Sequence, residues 1–208
     1  MRRAVATLGL LIGIVGLVLQ FIVSIDMSLD AGRSLPGAIE YFFSFFTVLT
    51  NIGLVLVYAA ALSGKPAWFA KPRVRGGLLV AIVVVSITYA TILAQLWTPQ
   101  GLFFIADTTL HYVAPIVFVV WWFLFGRSGT SRLADIPYWL IYPLAYLVFA
   151  MVRGAVIGQY PYPFLDLATN GAASVAISAL VMLALFAVVA AFVIWADRTL
   201  PAPDPGLT

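Results

Sequence analysis

The chain has no cysteine, one histidine and one glutamate among its 208 residues. Without cysteine there is no disulfide framework, and a single imidazole cannot build a zinc or iron site of His and Cys ligands. No metal or cofactor is expected. Charge is scarce too: Asp, Glu, Lys and Arg make up 9% of the chain, against about 25% in a soluble domain. The net charge of +3 gives no argument for a nucleic-acid partner, because the basic residues fall where topological markers would. There is no P-loop, no GxGxxG and no internal repeat of roughly 20–50 residues.

What is abundant is apolar: 63% of residues are hydrophobic, and the mean hydropathy is +1.08. A bilayer core takes about 20 apolar residues per helix. Six stretches meet that length, at residues 4–25, 37–63, 74–97, 107–126, 137–157 and 170–196. The segments between them are polar or rich in proline and glycine, such as "SGKPAWFAKPR" and "QYPYPFLDLATNG". The first stretch is too long for a signal peptide and no A-x-A site closes it, so it reads as a retained helix. The sequence therefore predicts an all-α integral membrane bundle of six transmembrane helices, one domain over residues 1–198, with a disordered tail at 199–208.

If six helices alternate, Arg2, Arg3, Lys65, Lys71, Arg73, Arg75, Arg127, Arg132 and Arg198 share one side, and Arg33 lies on the other. Excess positive charge marks the cytoplasmic side, so both termini are expected there. The expected location is a cell membrane crossed several times. Nine arginines beside two lysines, with abundant Ala, Val and Leu, are compatible with the inner membrane of a bacterium with a GC-rich genome.

The polar residues within the spans are not scattered. In the second span Glu40, Ser44, Thr47 and Asn51 stand in steps of four, three and four, one stripe of a continuous helix, with Thr50 turned away. Tyr89 lies in the outer half of the third span. Asp107 and His111 share a face at the outer start of the fourth. Tyr146 and Arg153 share a face in the fifth, and Asn170, Ser174 and Ser178 in the sixth. The inner halves, such as "GLLVAIVVV", are apolar. Buried charges in a membrane normally face a bundle interior or a wet cavity. The expected arrangement is a polar pocket open toward the outer leaflet above a dry floor.

Each group has a plain structural reading as well. His111 can stabilise a helix contact, Thr47 can bond back to its own backbone, and Glu40 and Arg153 can form an ion pair. Gly9 and Gly13 form a GxxxG suited to helix packing. Together the residues suit acyl transfer: a hydroxyl needs a base within reach, and histidine is the usual one. Asp107, one turn before His111, is placed to orient the ring. Asn51, Arg153 and Glu40 are candidate orienting or oxyanion-stabilising groups.

Three motifs carry a resemblance. "FFTVLTN", "LHYVAP" and "YPYPFLD" resemble segments of the androgen-induced-gene/FAR-17a-like family of multipass membrane threonine hydrolases and its bacterial six-helix branch. Animal members of that family cleave fatty acid esters of hydroxy fatty acids. The resemblance implies that Thr47 is the nucleophile and His111 the essential histidine, and it extends over nearly the whole chain. Ser44, Tyr89, Tyr146, Tyr162 and Asp166 are then expected in the substrate pocket. The expected function is an intramembrane lipid esterase acting on long-chain acyl esters. The alternative is a non-catalytic lipid-binding protein or a transporter. Transport is disfavoured, since carriers generally have repeats and polar routes to both sides.

Overall fold

In a computed structural model that describes residues 1–201, six helices are long and apolar enough to cross a membrane. Their apolar composition dictates helix, because in lipid every backbone group must be satisfied internally. We number the helices in chain order: α1 (Arg2–Asp30), α2 (Leu35–Phe43), α3 (Phe46–Ser63), α4 (Pro72–Leu93), α5 (Gly101–Gly126), α6 (Asp135–Ile157) and α7 (Leu167–Thr199). The short α2 and α3 together occupy the second expected span. The disordered-tail expectation falls mostly on residues 202–208, outside the described residues.

α1 packs chiefly on α3 and α5 through small residues: Ala6, Gly9, Gly13 and Gly16 are all buried. Gly9 is the tightest point. A Cβ there would sit 2.2 Å from Cζ of Tyr58, so only a hydrogen lets α3 approach. The opposite, lipid-facing side of α1 exposes Leu8, Leu11, Val15 and Val18. Arg75 at the start of α4 lies within electrostatic reach of both Arg2 and Asp197. The N-terminus, the start of α4 and the end of α7 therefore share one end of the bundle.

That basic end is sealed by aromatics. Tyr58, Phe118, Trp121 and Trp122 are at most 2% exposed. Tyr58 meets Phe118 and Trp121 edge-on at 5.6 and 5.4 Å. The basic end keeps a polar rim of its own around Asp135 and Asp197, while Thr47, Asn51, Asp107 and Arg153 are buried toward the opposite end of the bundle.

Three local irregularities place those side chains. The second span is not one helix. α2 stops at Phe43, Ser44 caps it, and Phe45 is extended (φ −90°, ψ 129°) before α3 begins. α4 ends in a π turn at Tyr89–Leu93. α5 carries a second π turn at Thr109–Val113. The fourth span starts at Gly101 rather than 107, and the third helix ends at Leu93 rather than 97.

Candidate active site

The break between α2 and α3 places Thr47 in the first turn of α3, not midway along a continuous stripe. Ser44 turns its hydroxyl back to the Tyr41 carbonyl at 2.7 Å. Its own carbonyl, freed by the break, accepts the Tyr146 hydroxyl at 2.8 Å. Both interactions satisfy groups that the interruption would otherwise leave bare. At the start of α3, the N–H groups of Phe46 and Val48 donate to no backbone carbonyl, and the Thr47 N–H donates to the Tyr162 hydroxyl at 3.4 Å. Thr47 thus sits in the first turn of α3, at the positive end of its helix dipole.

Across the chamber, His111 is held from three directions. Its Nδ1 lies 2.9 Å from the Asp107 carbonyl oxygen and 3.2 Å from Asp107 Oδ1. Both neighbours are acceptors, so in the neutral ring the proton belongs on Nδ1 and the lone pair on Nε2. The Tyr89 ring stacks on the imidazole, 3.7 Å between centroids and 15° between planes. The Tyr89 hydroxyl donates to Asp107 Oδ2. The fourth support is backbone. Pro115, four residues on, has no N–H to offer the His111 carbonyl, which instead accepts the Ser86 hydroxyl at 2.9 Å. The π turns of α4 and α5 face one another here, as such turns often do at functional sites.

Thr47, Asp107 and His111 line one chamber of about 620 Å³, together with Gln20, Ser24 and Ser28 of α1 and Arg33 of the α1–α2 turn. Tyr160, Pro161, Tyr162, Pro163 and Asp166 of the α6–α7 loop border it too. A second cavity, about 100 Å³ and almost wholly apolar, runs among α3, α4, α6 and α7, lined by Phe46, Val85, Pro143, Tyr146, Met182 and Phe186. Thr47, Leu93 and Tyr162 line both. Thr47 therefore stands where a polar chamber meets an apolar slot.

Several sequence expectations need correction. Asn51 is no oxyanion donor: its Nδ2 donates to the carbonyls of Thr47 (2.9 Å) and Leu110 (3.2 Å), which uses both of its N–H groups. It fastens α3 to the π turn of α5. Glu40 and Arg153 lie outside the chamber lining. Arg153, 4% exposed at its side chain, chelates Glu40 with Nε and Nη2 at 2.5 and 2.9 Å, and its Nη1 donates to the Gln159 carbonyl. Ser44 is fully buried in the helix break and lines neither cavity. Tyr89 lies behind His111, lining a separate cavity of about 620 Å³ that shares Asp107 and Trp97 with the chamber. Ser174 is exposed on α7, and neither it nor Ser178 lines a cavity.

Asp166 does border the chamber, but as the N-cap of α7. It accepts the N–H groups of Ala168 and Thr169 and the Thr169 hydroxyl. The Thr169 hydroxyl chiefly, with these amides, holds its carboxyl below the usual range. Thr50 is fully buried, and its hydroxyl pairs with that of Tyr142 at 3.0 Å. Sequence reasoning missed the Tyr162–Thr47 contact, which spans 115 residues of chain, and the stacking of Tyr89 on His111. The chain matches no protein-family model, no curated protein and no solved structure.

Proposed function

We propose that this chain is an intramembrane lipid esterase using Thr47 as nucleophile and His111 as general base. The observation that carries the reading is the placement of Thr47. It opens both to a chamber shared with a carboxylate-oriented imidazole and to an apolar slot. An ester with a long acyl chain suits that junction: the part of the chain next to the ester lies in the slot and the carbonyl comes to the hydroxyl.

In the first step Thr47 Oγ1 attacks the ester carbonyl while His111 Nε2 takes the hydroxyl proton. Asp107 stabilises the imidazolium that forms. The oxyanion forms at the positive N-terminal end of the α3 dipole. Collapse breaks the bond to the alcohol oxygen, which leaves with the proton from Nε2, and the acyl group remains on Thr47. Water then gives its proton to Nε2 and attacks the acyl-threonine. The bond to Thr47 breaks, Oγ1 recovers the proton, and a carboxylic acid departs. Positioning by Tyr162 matters at each stage, because burial pushes its phenol up and keeps it a neutral hydrogen-bonding partner of Thr47.

The same two cavities would also hold an amphiphile without cleaving it, which is the competing reading. A fluorophosphonate ester probe separates the two. The expected result is one adduct, on Thr47, lost in His111→Ala. No adduct, with the probe bound reversibly, would favour the non-catalytic lipid binder. An adduct on Thr50 would move the nucleophile by one turn. Orientation in the cell membrane with the basic end cytoplasmic, and a bacterial inner-membrane location, belong to the same proposal and rest on the distribution of arginine and lysine.

A further inference from the structure

Among the described residues Arg33 is the only lysine or arginine that lines the chamber, and it has no carboxylate partner there within ion-pair distance. Its position is built. α1 ends in a Schellman turn, with Gly32 left-handed (φ 81°), the Gly32 N–H donating to Leu29 O and the Arg33 N–H donating to Ser28 O at 3.0 Å. That turn folds Arg33 back over the mouth. The guanidinium lies 4.2 Å above the Tyr41 ring, and Nη2 donates to Gln159 Oε1 at 3.0 Å. One face and one N–H are thereby used, and the rest of the donor fork is open.

The acids that line the chamber do not answer this charge. Asp107 is engaged by Tyr89 and His111, and Asp166 by its capping bonds. We infer that Arg33 is a recognition site for an anionic head group, a carboxylate or phosphate monoester, on the amphiphile that enters the chamber. A planar guanidinium preset by an aromatic face and an amide loses little freedom on pairing bidentately with either oxyanion. Where the amphiphile is also the ester cleaved at Thr47, the inference rests on the esterase reading. Head-group binding itself does not.

The test measures binding apart from hydrolysis. Decanoate, decyl phosphate and 1-decanol, none of them a carboxylic ester, are titrated calorimetrically into the protein in a neutral detergent, each below its solubility or micelle limit. At least one anion is expected to bind about tenfold tighter than 1-decanol, and the tighter anion identifies the head group. Arg33→Gln should erase the preference and leave 1-decanol binding unchanged, and Arg33→Lys should keep part of it. Equal affinity for all three ligands, or a preference that survives Arg33→Gln, overturns the inference. Fluorophosphonate labelling on the same preparations distinguishes the two claims: preference without labelling removes the esterase and leaves the head-group site. Labelling of Thr47 without preference does the reverse.

Discussion

The Tyr89 ring lies flat on the His111 imidazole while its hydroxyl donates to Asp107, the same carboxylate that approaches His111 Nδ1. One tyrosine therefore fixes both the plane of the ring and the carboxylate that sets its tautomer. Tyr89→Phe keeps the stack and removes the bond to Asp107. It should lower kcat about tenfold, roughly 1.4 kcal/mol, with little change in KM. Tyr89→Ala removes the stack as well and should cost more. Steady-state kinetics on a long-chain ester checks this; an unchanged kcat in Tyr89→Ala would show that the stack does not position the base.

In the proposed mechanism Thr47 and His111 act in one proton transfer, so their losses should not add. Thr47→Ala, His111→Ala and the double variant are expected to fall together, by about 10²–10⁴-fold. Thr50→Ala is different in kind. Its hydroxyl is buried against Tyr142, so the variant should lose stability, about 1 kcal/mol for one hydrogen bond, and keep most of its rate. Additive losses at Thr47 and His111 would mean that the two residues work separately.

The six spans were legible because hydropathy and the Pro- and Gly-rich breaks report membrane crossing directly. The depth of the polar groups was legible too, since counting residues along a helix gives height. The break at Ser44–Phe45 was not. It sits in "YFFSFFT", with aromatic residues on both sides and no proline or glycine. What makes it possible is Tyr146, which satisfies the Ser44 carbonyl from another helix. Asn51 was misread for a related reason. Its place one turn after Thr47 was right, but its partners are carbonyls on α3 and on a π turn that no periodicity announces. Mutual rotation of helices, which puts Tyr89 on His111, is not written in any single span.

The Glu40–Arg153 pair joins α2 to α6, with Arg153 almost fully buried and the Glu40 side chain 42% exposed. Breaking a fully buried pair costs about 3–5 kcal/mol. Solvent at Glu40 lowers that figure, so Glu40→Gln should cost less. Arg153→Leu should be milder than Arg153→Ala, since it fills the space and leaves behind only the exposed glutamate. Thermal melts in detergent measure the order. Wild-type melting in Glu40→Gln would show the guanidinium to be solvated.

Asp166 gives a pH prediction with a definite sign. Its carboxyl is held below the ordinary range in the fold, so its capping stabilises the start of α7 above the unfolded value, about 3.9. The contribution is lost as pH falls through the lower folded value. Protection of the Ala168 and Thr169 amides, as exchange relative to an unstructured peptide at the same pH, should hold at neutral pH and fall only in that acid window. Asp166→Asn should remove the pH step. A step that persists in the variant would belong to another group.

Pro115 frees the carbonyl that anchors His111. In a regular helix the residue-115 N–H would share the His111 carbonyl with the Ser86 hydroxyl and weaken its hold. Pro115→Ala restores that N–H and removes the steric reason for the irregular turn. The cost of an interior proline is about 3 kcal/mol in an ordinary helix, and part of it should return as a higher melting temperature. The same change pulls the α5 turn toward regular geometry, moving His111 relative to Tyr89 and Asn51 relative to Leu110. Stability should therefore rise while activity falls, about tenfold or more. Ser86→Ala in the wild-type background should lower activity less, because the proline still holds the turn open. A Pro115→Ala protein that melts higher and retains full activity would show that the π turn at His111 is a packing accommodation with no part in the chemistry.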